Sequence, residues 1–183
     1  MYKNIVLSLF FIFLLVLPTF SFAQDTPKFV PGLGTLVIPS GIEVTPSSGH
    51  PSSIIYDNLL IKENEIWYSI QIFYSPIQYM AQQSLEKNIF SLNAKLDRFT
   101  NDQVAQRPGS KILLNTFLTN SIINNEPSLT KTVITLIDGF VIHTDYYIVQ
   151  GGNYPFLIGV ISSDVESEYW KPTISKILNN IQR

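Results

Sequence analysis

An α+β fold built on an antiparallel β-sheet is what this 183-residue sequence predicts, and three features predict it. Ile66, Tyr68, Ile70, Ile72 and Tyr74 alternate with Trp67, Ser69, Gln71 and Phe73, the two-residue period of a strand with one wholly apolar face. Four further β-rich runs follow one another after residue 110 with turn chemistry between them, as in a meander. Two long segments, over 76–99 and 163–181, instead repeat apolar residues at helical spacing.

The chain opens on what reads as a secretory signal peptide over 1–23. Lys3 supplies the positive end, 5–17 is apolar except for Ser8, Pro18 breaks the run, and Ser21-Phe22-Ala23 offers small residues for cleavage between Ala23 and Gln24. The run is shorter than the roughly 20 residues that span a bilayer, so no stable membrane insertion is expected after cleavage, and the protein is expected in the periplasm or outside the cell. Residues 24–33 read as a flexible leader in which Pro27 and Pro31 oppose regular structure. Residues 34–183 then form a single domain. Within it, 34–38 and 41–45 are extended pieces around Pro39-Ser40, set to form a hairpin, and 46–53 is a Ser/Pro loop that carries His50. Strands 54–62 and 66–74 are joined by Glu63-Asn64-Glu65.

Ser75-Pro76 is a hydroxyl followed by proline, the signal of a helix start, and Ile77, Met80, Ala81, Leu85, Ile89, Leu92, Leu96 and Phe99 follow at helical spacing. The polar stretch 100–110, with Arg107-Pro108-Gly109, ends that helix. Strands over 111–119, 129–137, 140–150 and 154–162 come next, with turns at Asn124-Asn125, Asp138-Gly139 and Gly151-Gly152-Asn153. Ser163 or Asp164 caps a last helix to about 181, with Ile174, Ile177, Leu178 and Ile181 as its inner stripe and a break expected at Pro172. The overall expectation is an antiparallel sheet (hairpin, two strands, long helix, four-stranded meander, C-terminal helix) covered by helices.

Composition excludes several chemistries. There is no cysteine, hence no disulfide, thiolate nucleophile or cysteine-bound metal, and stability must come from packing. A formal charge of −2, one unit more negative without Lys3, and the lack of a basic run argue against a nucleic-acid partner. Two histidines and no His-Glu-x-x-His leave no metal site, and no cofactor motif is present: Gly32-Leu33-Gly34 and Gly151-Gly152 lack the rest of a phosphate loop. No Gly-x-Ser-x-Gly or Ser-x-x-Lys occurs, which removes the common serine hydrolases.

Asp138-Gly139 fixes a register. If these two residues are the turn, Ile137 faces Phe140 and Leu129 faces Ile148. One side of this hairpin, from Leu129 and Lys131 across to Tyr146 and Ile148, is largely apolar and should meet a helix. The other side gathers His143, Asp145 and Tyr147 on one strand, opposite Thr130 and Thr132. A histidine beside a carboxylate suits acid–base work, yet no nucleophile accompanies it, so a half-solvated polar sheet face is the plain alternative. Among the aromatic residues, Tyr68 and Tyr74 fall on the core face, while Trp67, Tyr147 and Tyr154 are the candidates for an exposed binding surface. The functional expectation is therefore an exported, non-catalytic protein that binds another envelope or secreted protein. A small-ligand binder with a cleft between the sheet and the 76–99 helix, or an enzyme using His143 and Asp145, would be its rivals.

Asn125-Glu126-Pro127 entering a strand, the Asp138-Gly139 hairpin, Tyr146-Tyr147-Ile148-Val149 before a glycine turn, and Phe156-Leu157-Ile158 leading to Trp170-Lys171-Pro172 together carry a likeness. Over roughly 40–181 the pattern resembles the PsbP-like group of exported proteins, which includes extrinsic photosystem subunits and bacterial DcrB-type envelope proteins. The usual Pro-x-Gly-Trp-like opening stands here as Pro39-Ser40-Gly41-Ile42. The resemblance implies an antiparallel sheet sandwiched by helices and a non-catalytic accessory or binding role; a Bet v 1-like or cystatin-like α+β fold is the competing architecture. No functional residue is carried over by it.

Overall fold

Residues 24–47, 54–63, 65–78 and 85–183 are described by the structure, a computed structural model. The signal segment with its cleavage point at Ala23, the loop residue His50, and the helical turn expected around Tyr79, Met80 and Ala81 lie outside these residues.

The order of elements is β1 (Thr26–Val30), β2 (Gly34–Ile38), β3 (Glu43–Pro46), β4 (Ile55–Glu63), β5 (Ile66–Pro76), a 3-10 turn (Glu86–Asn88) running into α1 (Ile89–Ala105), β6 (Lys111–Asn115), β7 (Thr119–Ile123), β8 (Glu126–Ile137), β9 (Phe140–Val149), β10 (Phe156–Ser163) and α2 (Asp164–Asn179). Among the described residues β3, β4, β5, β10, β9, β8 and β6 lie side by side in that order, all antiparallel, and β7 also pairs with β8. Strands β6 and β7 follow one another along the same edge of β8, whose residues 133–136 meet β6 and 126–130 meet β7. The α+β class and the antiparallel sheet are as expected.

Several expectations are corrected. The segment expected to be an irregular leader is strand β1, paired with β2 from Thr26↔Ile38 to Val30↔Gly34, so the first hairpin is made by 26–38 rather than by 34–45. Proline is tolerated in β1 because a two-stranded ribbon consists of edge strands, where a missing N–H breaks no ladder. The piece expected as the hairpin's second half is β3, which pairs with β4. Helix α1 spans 89–105 where a helix over 76–99 was expected, and residues 79–84 of that expected helix lie outside the described residues. The cap signal at Ser75-Pro76 is overridden by strand pairing, since Ser75 faces Leu157 and Pro76 faces Phe156. The helix runs on to Ala105 before Pro108, whose ring disfavours helical geometry in the residue before it. The strand expected over 111–119 ends at Asn115, and β7 occupies 119–123, where no strand was expected beyond Thr119. Finally, α2 passes through Pro172 unbroken: Trp170 before it and Ile174, Ile177 and Leu178 after it are buried in one cluster, and that burial outweighs the lost backbone hydrogen bond.

Two hydrophobic clusters lie on opposite faces of the sheet. On one, Leu59, Ile70, Ile72, Tyr74, Ile158 and Val160 pack with α2 and with Val30, Leu36 and Ile38 of the β1–β2 hairpin, which therefore shares this face with the helix. Ile72 and Tyr74 belong to the apolar stripe read from the sequence, and β5 lies inside the sheet as that stripe required. On the other face Leu92 and Leu96 of α1 pack with Phe73, Leu129, Val133, Tyr146 and Ile148. The C-terminal residues close the first face: Thr35 and Gln182 exchange backbone hydrogen bonds of 2.7 and 2.9 Å, and Asn124 donates to Asn179 Oδ1 and to the Ile181 carbonyl.

The α1 face holds a buried cation. Lys131, with 1% of its side chain exposed, projects from β8 to Asn93 Oδ1 at 3.0 Å and Asp97 Oδ1 at 2.9 Å on α1, and to the Thr116 carbonyl between β6 and β7 at 2.5 Å. Burial opposes the ionisation of Asp97, but hydrogen bonds from Lys131, Asn115 and Asn93, together with the Lys131 charge, outweigh it and hold the carboxyl below the usual carboxylate range. A carboxyl depressed in the folded state adds stability above its unfolded pKa of about 4, and that stability is lost as pH falls through the folded value. Denaturation midpoints should therefore drop on acidification below about pH 4, with a shallower drop in Asp97→Asn; equal slopes would remove Asp97 from the acid response.

Candidate functional site

The β8–β9 register is the one that Asp138-Gly139 dictates. Both turn residues have positive φ, 51° and 86°, as a two-residue hairpin of the primed type requires, and the pairs run from Ile137↔Phe140 to Leu129↔Ile148. Thr132 consequently faces Asp145 and Thr130 faces Tyr147 on the α2 side, while Lys131 and Tyr146 turn to α1. A further group comes from β10, where Ser162 pairs with His143 and α2 begins at Asp164.

These residues form a closed polar cluster. Thr132 Oγ1 donates to Asp145 Oδ1 at 2.5 Å, and His143 Nε2 lies 3.2 Å from the same oxygen. His143 Nδ1 lies 3.4 Å from Asp164 Oδ1. A neutral imidazole can donate to one of these carboxylates, a doubly protonated ring to both. The histidine is mostly buried, and each of its ring nitrogens has a carboxylate oxygen as its neighbour. The Thr132 hydroxyl serves Asp145 rather than His143. The arrangement ties β8 and β9 to the start of α2, and the contacts it shows are from His143 and Thr132 to carboxylates. Tyr147, next on the strand, has its phenol pushed far up by burial and then by the Asp145 charge, so it remains a neutral donor.

Beside this cluster a groove of about 440 Å³ opens between the β6 edge and α2, lined by Leu114, Thr116, Thr130, Tyr147 and Lys171 as well as by His143 and Asp145. Trp67 and Tyr154 stand apart from it. Trp67 is exposed on the opposite face of the sheet, at the β4–β5 tip, with the Lys62 ammonium 5.9 Å from its ring. Tyr154 is exposed in the β9–β10 connection. The structure therefore brings His143, Asp145, Thr130, Thr132 and Tyr147 together and leaves the other two outside.

Sequence reasoning missed two features. The partners of Lys131 were signalled by Asn93 and Asp97, polar residues four apart on α1 and adjacent to the buried Leu92 and Leu96. An apolar edge was not anticipated either. Phe90, Leu113, Leu114, Phe117 and Ile122 are each 44–76% exposed, and the Phe90 and Phe117 rings touch at 5.5 Å. Residues 111–119 were read as one strand and 120–123 as none, so the side on which their apolar side chains stand was not read.

No protein-family model matches the chain, and no curated protein sequence is similar to it. Among solved structures, the cyanobacterial PsbP protein CyanoP from Synechocystis sp. PCC 6803 superposes with a TM-score of 0.60 at 8% identity, over 90% of this chain and 95% of that one. LpqN of Mycobacterium tuberculosis, a protein involved in cell envelope biogenesis, gives a TM-score of 0.46 at 14% identity, over 86% of this chain and 88% of that one. The chain thus has a PsbP-like fold, and at such identities the likeness is one of fold. Among the described residues no helix is long and apolar enough to cross a membrane.

Proposed function

We propose that this chain is a non-catalytic accessory protein of a bacterial envelope or secretome that acts by binding another protein along its β6–β7 edge. One observation carries the reading: an edge of the sheet, with backbone groups open to pairing, is lined by Leu113, Leu114, Phe117 and Ile122 and flanked by Phe90. Proteins that keep such an edge unpartnered usually guard it with charges or proline, and only Lys111 does so on β6. Strand addition by a partner would satisfy the edge, and the adjoining groove with Thr130, Tyr147, His143 and Asp145 would take a side chain of the added strand. The PsbP-like fold supports an accessory role by analogy, the self-satisfied His143 cluster speaks against catalysis, and the apolar segment at 5–17 supports export.

A photo-crosslinking residue at Phe117, compared with one at Trp67, tests this in the envelope fraction of the source organism. A discrete protein adduct is expected from Phe117 and none from Trp67, and Leu113→Glu should abolish it. An adduct from Trp67 alone would move the interface to the β4–β5 tip, and no adduct from either would end the accessory reading.

A further inference from the structure

We infer that the groove between the β6 edge and α2 recognises an organic cation, a primary ammonium or guanidinium group on a short alkyl stem. Where that cation is a side chain of an added strand, the inference rests on the edge reading and names the residue type, lysine or arginine; a free alkylamine would bind without it. The groove holds about 440 Å³, within the usual range of small-ligand sites, and the elements that border it, β6, β8, β9 and α2, are all among the described residues. The His143 cluster closes on Asp145 Oδ1 and leaves two polar groups over. Asp145 meets Thr132 and His143 through Oδ1 alone, and among the described residues Oδ2 has no hydrogen-bond partner. The Tyr147 hydroxyl has none there either. Burial and the Asp145 charge keep that phenol protonated, so its oxygen offers both a proton and a lone pair.

Charge selects the class. Asp145 and Asp164 share the single imidazole of His143, so the three carry −1 with the ring doubly protonated and −2 with it neutral. Two lysines border the groove, and neither offsets that charge. The Lys171 ammonium stands at the exposed rim, 3.2 Å from Glu168 Oε1, and the pair adds no net charge. Lys131 sends its ammonium to the other face of the sheet, to Asn93, Asp97 and the Thr116 carbonyl. An anionic head would therefore meet a net negative charge at close range, and an apolar one would strip water from Asp145 without replacing its hydrogen bonds. An ammonium or guanidinium supplies charge-assisted donors to Asp145 Oδ2 and to the Tyr147 oxygen, while Leu114, 44% exposed, flanks an alkyl stem.

Calorimetric titration of the purified protein with hexylammonium, hexylguanidinium, hexanol and hexanoate tests the assignment. The two cations should bind about tenfold more tightly than hexanol, and hexanoate more weakly still. Asp145→Asn should erase the advantage of the cations over the alcohol. Should that variant fail to fold, Tyr147→Phe, which keeps the ring, should weaken both cations about threefold. Lys171→Met changes only the exposed rim; it removes a like charge and leaves Glu168 unpaired, so it should tighten both cations about threefold. A blocked peptide Thr-Val-Arg-Val-Thr separates the two sources of the cation. Affinity at least about tenfold above that of hexylguanidinium, with the surplus lost in Leu113→Glu, assigns the cation to an added strand, whereas equal affinity assigns it to a free molecule. Hexanoate binding as tightly as the cations, cation affinity unchanged in both Asp145→Asn and Tyr147→Phe, or no binding of either cation at millimolar concentration would each overturn the proposal, whatever crosslinking at Phe117 shows of the edge.

Discussion

Replacing Gly159 by alanine should destabilise the protein by about 3 kcal/mol, although a glycine-to-alanine change within a strand ordinarily stabilises by reducing the freedom of the unfolded chain. The reason lies in the aromatic row on the α1 face. Gly159 of β10 sits between Phe73 of β5 and Tyr146 of β9, and a Cβ built on it would lie 2.0 Å from the Phe73 ring. That ring cannot swing aside: it is buried, packs on Tyr56 at 5.6 Å and meets Tyr146 edge-on at 6.3 Å. The steric term therefore exceeds the entropic gain of less than about 1 kcal/mol. Phe73→Ala alone should also cost about 3 kcal/mol by leaving a cavity. In the double variant the alanine methyl occupies part of that space, so the combined loss should fall at least about 1 kcal/mol short of the sum. Additive losses in urea denaturation would show that Phe73 is not what forbids a side chain at 159.

Lys131→Ala should cost about 3 kcal/mol or more at neutral pH, the range seen when one partner of a buried pair is removed. Three acceptors lose the same donor, namely Asn93 Oδ1, Asp97 Oδ1 and the Thr116 carbonyl. Asp97 is about one-third exposed, so water recovers part of its loss, which keeps the figure at the low end of that range. Lys131→Met preserves most of the volume and should remain nearly as destabilising, because the loss lies in the unpaired acceptors rather than in packing. A methionine variant within about 1 kcal/mol of the parent would refute the network's importance. The effect should also reach the proposed interface, since Asn93 Oδ1 accepts from the Leu118 N–H and Lys131 holds the Thr116 carbonyl, the two ends of the short crossover that carries Phe117.

Legibility in the sequence followed the range of the interactions involved. The β8–β9 register was readable in full because a two-residue turn with positive φ at both positions leaves one alignment, and that alignment alone assembled His143, Asp145, Thr130, Thr132 and Tyr147. The alternation at 66–74 was readable because it reports on one strand with a buried face. Readings failed where a distant partner overrode a local signal. Ser75-Pro76 is a sound helix cap in isolation, but β10 arrives about eighty residues later and holds both residues extended. Pro27 discourages a strand, yet β2 pairs with it at an edge where no donor is missed. Asp164 joined the His143 cluster from outside the hairpin, through the β9–β10 pairing that no turn motif encodes.

The place of β10 in the sheet also sets the order in which the molecule can be completed. Strands β3, β4 and β5 form one antiparallel unit, β6 to β9 form another, and residues 156–163 are what join them. During synthesis both units leave the ribosome with one long edge unpaired, and neither edge can close until the chain has reached Ser163. The β1–β2 hairpin waits longer, because Thr35 finds its partner only at Gln182. Closure of the sheet thus waits for residues 156–163, and closure of its α2 face waits for Gln182, so the last-made contacts are long-range ones.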